Sequence, residues 1–140
     1  KYANLKNIKI QEAKGRFEIV NDSPIKIIDG AHNYEGVEIL LRNYENKYGH
    51  LNTDIFLGFK KGKDINNILD LIIGKTNYNL YLIEDDTFFD QEITKEIGYL
   101  LNKHGKNYKI ASLEQFKKNK NPSILLGSLY LIGEYKKREL

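Results

Sequence analysis

The chain has 140 residues, of which 41% are hydrophobic and 29% are charged, and its formal net charge is +3. This composition is that of one globular domain with its own core, and no apolar run approaches the roughly 20 residues that cross a bilayer. The absence of cysteine excludes disulfides, thiolate metal sites and cysteine nucleophiles, and it is compatible with the cytoplasmic location that we expect. The lysines lie among acidic residues rather than on one basic face, so we expect neither a nucleic-acid partner nor a membrane partner.

Short apolar runs alternate along the chain with apolar residues at helical spacing. The runs predict strands at 17–20, 25–28, 54–58, 80–83, 108–110 and 124–126. The i, i+3, i+4 spacing predicts helices at 34–48, at 65–73, at 93–101, from 113 onward and after 126. This alternation indicates a three-layer, Rossmann-like α/β domain with a mostly parallel sheet of five or six strands.

The ends of the predicted helices carry residues that favour a helix boundary. Asn33 and Asp64 stand where a side-chain oxygen caps the start of the first two helices. Gly49, Gly74 and Gly105 each follow a periodic run, where a residue in the left-handed conformation commonly ends a helix. These five positions support the predicted bounds of the helices.

The start of the chain differs from the rest. Residues 1–14 are polar and show no clear period, so we expect a linker or the tail of a preceding domain there, and a folded domain over 15–140. The chain has no methionine, not even at position 1, and we therefore expect it to be part of a longer protein. Residues 58–64 are similar to a phosphate-binding loop, but the loop is one residue short and has Asp64 in place of Ser or Thr. We expect neither a phosphate-binding loop nor a metal site within the chain.

Residues 29–33, Asp-Gly-Ala-His-Asn, form the first candidate site, because ligands of an open α/β sheet bind beyond the carboxyl ends of its strands. The Asp29 carboxylate could accept hydrogen bonds from ribose hydroxyls. The His32 imidazole could hold a carboxylate or phosphate near a helix N-terminus, where the helix dipole favours anions. The same residues also fit a plain turn with an N-cap and a surface histidine. The local pattern leaves both interpretations open.

Two further segments contain candidate residues. Gly127 and Ser128 follow the last predicted strand, where a glycine lets the backbone approach a ligand and a serine offers a hydroxyl at a helix start. The alternative for Ser128 is an ordinary N-cap. Arg16 precedes the first strand and has the planar guanidinium suited to phosphate contacts, although a lone arginine there also fits a surface position.

Three segments together resemble the signature segments of one enzyme family. They are 15–18 (Gly-Arg-Phe-Glu), 29–33, and 127–134 (Gly-Ser-Leu-Tyr-Leu-Ile-Gly-Glu). In order, spacing and strand context they resemble the C-terminal domain of folylpolyglutamate synthases and dihydrofolate synthases, which belong to the Mur ligase superfamily. The resemblance runs from about residue 15 to the end, and it departs from the family at Lys14 and Tyr34, where proline is usual.

The resemblance implies an ATP-dependent ligase that adds glutamate to folate or dihydropteroate through an acyl phosphate. It implies that magnesium and the phosphate-binding loop belong to an N-terminal ATP-binding domain outside this chain. Arg16 would then reach the phosphates of ATP and Asp29 its ribose, while His32 and Ser128 would line the pocket of the incoming glutamate. The resemblance assigns no catalytic residue to the chain. Alone, the chain is expected to be inactive and to bind neither ATP nor magnesium tightly.

Two other functions are also compatible with these residues. One is the C-terminal domain of another Mur-type amide ligase that joins a different acid and amino acid. The other is a non-catalytic α/β nucleotide-binding module. A Gly-x-x-x-x-Gly-Lys-Ser/Thr loop encoded upstream would favour the ligases, and a gene that encoded these residues alone would favour the module.

Overall fold

The computed structural model describes residues 15–60, 64–85 and 91–138, which form one sheet flanked by helices. The strands are β1 (Glu18–Asp22), β2 (Ile25–Asp29), β3 (Thr53–Leu57), β4 (Tyr78–Ile83), β5 (Tyr108–Ala111) and β6 (Ser123–Leu126). The helices are α1 (Tyr34–Tyr48), α2 (Ile65–Ile73), α3 (Gln91–Lys103), α4 (Leu113–Lys118) and α5 (Leu129–Lys137). The predicted strands and helices are all confirmed, with small shifts of their ends.

The sheet has the strand order β1-β2-β6-β3-β4-β5. β1 is antiparallel to β2, and the other neighbouring strands are parallel to one another, which confirms the predicted mostly parallel sheet. β6 therefore lies between β2 and β3. Its residue Leu126 is paired with Asp29 on one side and with Leu57 on the other, so three carboxyl ends meet at one edge.

Helices cover both faces of the sheet, as predicted. α1, α2 and α3 pack on the face that carries Ile27 and Ile55, and α4 and α5 pack on the face that carries Ile28 and Phe56. Because helices cover both faces of the central strands, every residue of β2, β3 and β6 is buried, and the sequences of these strands are largely continuous apolar runs. None of the helices described is long and apolar enough to cross a membrane.

The two predicted N-caps differ in the structure. The Asn33 side chain accepts a hydrogen bond of 2.8 Å from the backbone N–H of Gly36, so this cap of α1 is confirmed. Asp64 occupies the N-cap position of α2, but its side chain makes no capping bond. Its carboxylate accepts instead from the side-chain amide of Asn67 at 3.0 Å. Asp64 therefore stands at the predicted N-cap position, but it does not make the predicted capping hydrogen bond.

The three glycines after helices also differ. Gly49 and Gly105 have φ angles of 68° and 67°, in the left-handed region that was predicted for them. Gly74 has a φ of −64°, so the prediction was wrong there. The chain leaves α2 through right-handed turns instead: the N–H of Gly74 bonds the carbonyl of Asp70 at 3.2 Å, and that of Lys75 bonds Ile72 at 3.0 Å.

Candidate functional site

The candidate site lies where the carboxyl ends of β2, β6 and β3 meet. Because the strands are parallel neighbours, the loop that follows Asp29 and the turn at Gly127 leave the sheet side by side. The N–H of Gly58, just after β3, bonds the carbonyl of Leu126 at 3.0 Å and closes the third side. The structure thus brings together two of the segments that the sequence singled out.

Asp29 ends β2 and is only 4% exposed. One carboxylate oxygen accepts the backbone N–H of Phe17 at 2.9 Å, and the other accepts that of Ala31 at 2.8 Å. Burial raises the pKa of the Asp29 carboxyl above its ordinary value, and the two N–H donors and the nearby Arg16 guanidinium partly offset that rise. Asp29 therefore joins the third segment, at 15–18, to the same sheet edge.

The segment that begins at Gly15 is held on β2 in an unusual conformation. Gly15 has a φ of 84° and Phe17 a φ of 45°, which is a strained angle for a bulky side chain. The N–H of Gly30 bonds the carbonyl of Gly15 at 2.6 Å. The N–H of Gly15 in turn bonds the Glu18 carboxylate at 3.1 Å, and that carboxylate also pairs with Lys136 of α5 at 2.8 Å. Backbone bonds and an ion pair thus fix the loop from several sides.

Arg16 lies exposed on this loop, beside the first turn of α1. A Cβ atom added at Gly36 would lie 3.4 Å from Nη1 of Arg16, so the guanidinium rests against that turn. Arg16, Phe17, Asp29 and α1 line a shallow pocket of about 320 Å³. The predicted nucleotide residues Arg16 and Asp29 are therefore close together, but only Arg16 presents its charged group to solvent.

Two glycines allow the segments to approach so closely. A Cβ at Gly30 would lie 2.3 Å from Cδ2 of Leu129 and 3.3 Å from its Cα. A Cβ at Gly127, whose φ is 124°, would lie 2.3 Å from the carbonyl oxygen of Gly58. The two 2.3 Å distances are far below van der Waals contact, and Gly127 also needs the conformational freedom that only glycine has.

Ser128 is buried and caps α5. Its hydroxyl oxygen accepts the backbone N–H groups of Tyr130 at 3.1 Å and Leu131 at 3.4 Å. The N-cap interpretation of this serine is therefore right. Ser128 also lines a pocket of about 230 Å³ together with His32, Lys60, Gly127, Leu129 and Tyr130. His32 and Ser128 thus open into one crevice, the arrangement that a shared pocket requires.

His32 and Lys60 give this crevice its chemistry. Nδ1 of His32 lies 3.0 Å from the carbonyl oxygen of Gly30, which can only accept, so Nδ1 carries the proton. The Lys60 ammonium lies over the ring of Tyr130, 4.3 Å from its centroid. Among the described residues that line the crevice none is acidic, and the N-termini of α1 and α5 are close by. The crevice therefore suits an anion.

Sequence reasoning did not single out Lys60 and Tyr130 for this site. Tyr130 is half exposed, beside the capping serine, and a tyrosine at a helix start carries no signal of its own. Lys60 is the first of the clustered lysines at 60, 61 and 63, and such a cluster usually lies on a solvated surface. Only the strand order places Lys60 close to Ser128. Its position just after the carboxyl end of β3 was the one available signal.

Metal-ligating side chains do not gather in the part of the chain that the structure describes: no three His, Asp or Glu residues lie close enough to hold an ion. In the acidic stretch at 84–86, both oxygens of Asp85 bond the Arg138 guanidinium, and one also accepts the N–H of Leu113 at 3.0 Å. Asp86 lies outside the described residues. Asp85 is thus engaged in bonds within the protein.

Comparison with known proteins agrees with the predicted resemblance. No family model matches the chain. Over 130 residues it is 25% identical to the dihydrofolate synthase/folylpolyglutamate synthase of Bacillus subtilis, covering 89% of this chain and 30% of that protein. The crystal structure of the Thermotoga maritima folylpolyglutamate synthase matches with a TM-score of 0.71 and 22% identity over 88% of this chain. The chain has the fold of a folylpolyglutamate synthase domain.

Structures of bifunctional folylpolyglutamate synthase/dihydrofolate synthases match as well. One, from Yersinia pestis, was solved with AMPPNP and a manganese ion and matches with a TM-score of 0.67 at 20% identity over 89% of this chain. A structure of a bifunctional synthase with manganese, AMPPNP and L-glutamate bound matches with a TM-score of 0.64 at 18% identity. The chain spans less than a third of the length of these synthases: 30% of the Bacillus subtilis and Thermotoga maritima proteins and 31% of the Yersinia pestis protein.

Proposed function

We propose that residues 15–140 are the C-terminal domain of an ATP-dependent ligase that adds glutamate to folate or dihydropteroate. The observation that carries the proposal is the meeting of the three signature segments at one sheet edge. The bonds of Asp29 bring 15–18 to that edge, and the pairing of β2 with β6 brings 29–33 and 127–134 together. Likeness in sequence and fold to the synthases supports the same assignment.

The proposed reaction needs a second, ATP-binding domain. The γ-phosphoryl group of ATP passes to the carboxylate of folate or dihydropteroate and leaves ADP. The amino group of glutamate then attacks the acyl carbon, an amide bond forms, phosphate leaves with the bonding electrons, and the amine loses a proton. Magnesium would stabilise phosphate charge during the first step. As the resemblance implies, we assign magnesium and the phosphate-binding loop to that domain.

Each candidate residue has a role in this proposal. The exposed guanidinium of Arg16 suits the phosphates, since phosphoryl transfer depends on charges positioned around the transferred group. The crevice of His32, Ser128 and Lys60 suits a carboxylate of the incoming glutamate, because a cation and two helix N-termini favour an anion there. The ribose contact that the resemblance implies for Asp29 stays a prediction.

The first test measures glutamate use by the complete gene product that contains this chain. His32→Ala or Ser128→Ala should raise KM for glutamate about tenfold, the effect of one lost polar contact of about 1.5–3 kcal/mol, and change KM for ATP less. Ser112→Ala is the matched control. Ser112 also caps a helix with its side chain, but it caps α4 and does not line the crevice. Equal glutamate KM values in the Ser128 and Ser112 variants would contradict the assigned pocket.

The second test concerns the chain by itself. Purified alone, it should incorporate no glutamate into dihydropteroate or tetrahydrofolate in the presence of ATP, whereas the complete gene product should do so. Ligation of a different amino acid or acid would favour another Mur-type ligase. A complete product that binds nucleotide but ligates nothing would favour the non-catalytic module.

A further inference from the structure

One face of the sheet is covered incompletely at its β4–β5 edge. α4 has only six residues, about 9 Å of helix, and it connects the carboxyl end of β5 to the amino end of β6. It covers Phe56 of β3, whose ring lies 5.2 Å from that of Phe116. Next to Phe56 on the same face, the Tyr81 ring is half-buried and the Lys109 side chain is exposed. A groove therefore opens between α4 and the two outer strands.

This α4 groove has an aromatic floor and the size of a small-molecule site. Its volume is about 540 Å³, and a second hollow of about 400 Å³ adjoins it and shares Tyr81 and Lys109. The Tyr81 ring stacks on Phe56, with the ring centroids 4.6 Å apart and the planes at 8°. The opposite face of the Tyr81 ring lies on the side of β5. The residues that define the groove are Phe56, Tyr81, Lys109, Gln115, Lys118 and Asn121.

The end of the groove toward the amino ends of the strands is held by a buried carboxylate. Asp54 is 2% exposed and accepts hydrogen bonds of 3.0 Å from the side-chain amides of Asn79, Asn119 and Asn121. Asp54 itself does not line the groove, whereas Asn119 and Asn121 do. These bonds fix the loop at 119–121, so this wall of the groove is formed before any ligand binds.

Cations lie on both sides of the groove. Three lysines line it: Lys109 on β5, Lys118 at the end of α4 and Lys120 in the loop that follows. Glu114 is the one acid among the described residues that line it, and no ion pair joins the three lysines to an acid in the described part of the chain. Lys118 also complements the dipole of α4, but Lys109 lies on a strand, so the helix does not account for both.

The aromatic floor and the lysines together define what the groove can hold. We propose that the α4 groove binds a planar aromatic anion, whose ring stacks on Tyr81 and whose carboxylate or phosphate contacts Lys109 and Lys118. Stacking on an aromatic side chain and contact with ammonium groups are the two interactions that such a ligand needs. The groove shares no residue with 15–18, 29–33 or 127–134, so this is a second site that goes beyond the proposed function.

Nuclear magnetic resonance of the isotope-labelled chain tests the proposal, because the chain has its own core on each face of the sheet. The probes are AMP, with a ring and a phosphate, and para-aminobenzoylglutamate, with a ring and two carboxylates. Adenosine and inorganic phosphate each lack one part. We expect AMP or para-aminobenzoylglutamate to shift the amide signals of Tyr81, Lys109 and Lys118, and which of them binds identifies the anion. Adenosine and phosphate should bind at least about tenfold more weakly.

Variants of the floor separate stacking from simple burial. Tyr81→Leu keeps an apolar side chain against Phe56 but removes the aromatic ring, and it should raise the dissociation constant of the bound probe about tenfold. Tyr81→Phe keeps the ring and should change the dissociation constant less than about twofold. Equal dissociation constants for the leucine and phenylalanine variants would overturn the assigned stacking.

Variants of the lysines test the anion contact and also cover the case in which Tyr81→Leu does not fold. Exchange of both Lys109→Gln and Lys118→Gln should raise the dissociation constant about fivefold and make it less sensitive to salt. Lys103→Gln is the matched control, because Lys103 is an exposed lysine in the last turn of α3, on the other face of the sheet. Equal effects of the control and the double variant would contradict the proposal.

The place of the shifted signals distinguishes failure of this inference from failure of the proposed function. Signals that shift only at Arg16, His32 and Ser128 would overturn the α4 groove as a site and leave the proposed ligase intact. Binding in the groove by a chain whose complete gene product ligates no glutamate would refute the ligase and keep the groove. No shift in the groove with either AMP or para-aminobenzoylglutamate would refute the inference.

Discussion

Gly127→Ala tests the packing that brings β6 and β3 together at the candidate site. The added methyl carbon would lie 2.3 Å from the carbonyl oxygen of Gly58, 2.8 Å from its carbonyl carbon and 3.1 Å from its nitrogen. All three are backbone atoms of a buried residue, so no side chain can rotate to make room. Overpacking of this kind costs about 1–3 kcal/mol, and a left-handed φ for alanine adds about 1–2 kcal/mol. We expect the variant to lose about 2–5 kcal/mol of unfolding free energy.

The measurement is urea unfolding of the chain followed by circular dichroism, with the midpoint and the slope fitted separately. Gly133→Ala is the matched control, because Gly133 lies within α5 and, apart from its chain neighbours and the helix backbone, no atom lies within 4 Å of its added methyl group. That variant should gain up to about 1 kcal/mol from helix propensity. A loss below about 1 kcal/mol for Gly127→Ala, or equal effects at both glycines, would refute the close approach of the two strand ends.

Two further predictions concern charged groups. Because burial raises the pKa of Asp29 above its ordinary value, the stability that this carboxyl contributes is greatest below its unfolded pKa and is lost as the pH rises through its folded pKa. The unfolding free energy of the wild type minus that of Asp29→Asn should therefore fall as the pH rises from about 4 to about 7, and a rise would contradict the assignment. Arg138→Ala should cost about 1–3 kcal/mol in urea unfolding, since it leaves the Asp85 carboxylate, 6% exposed, without its guanidinium partner. Lys137→Ala, which removes a lysine that is 75% exposed, should cost less than about 0.5 kcal/mol, and equal costs would refute the importance of the buried pair.

The order of strands and helices could be predicted because each element has a periodic pattern that tertiary packing does not override. α1 begins at Tyr34 and ends at Tyr48, as the spacing of its apolar residues indicates. The prediction for Gly74 failed because a glycine only permits the left-handed conformation, and short right-handed turns already satisfy the last carbonyls of α2. The predicted capping bond of Asp64 is absent because the side-chain amide of Asn67, one turn later, donates to the Asp64 carboxylate instead.

The candidate site could be predicted in its residues but not in its contacts. Asp29 and Ser128 were chosen because they end a strand and begin a helix, and the structure places both at the expected edge. The N-cap bonds of Ser128 were among the predicted alternatives. The bond of Asp29 to Phe17 was not, because it depends on a loop twelve residues earlier in the chain. The contact of Lys60 with Tyr130 depends on the neighbouring positions of β3 and β6, which the order of elements along the chain leaves undetermined.

The central place of β6 has a consequence for how the domain forms during synthesis. β2 and β3 are made early but share no hydrogen bonds, because β6 separates them in the sheet. Until residues 123–126 leave the ribosome, each of these strands has an unpaired inner edge that is open to aggregation. The crevice of His32 and Ser128 cannot exist before that moment, because Ser128 follows β6 in the chain. Contacts of such long sequence separation also predict slow folding for a domain of this size.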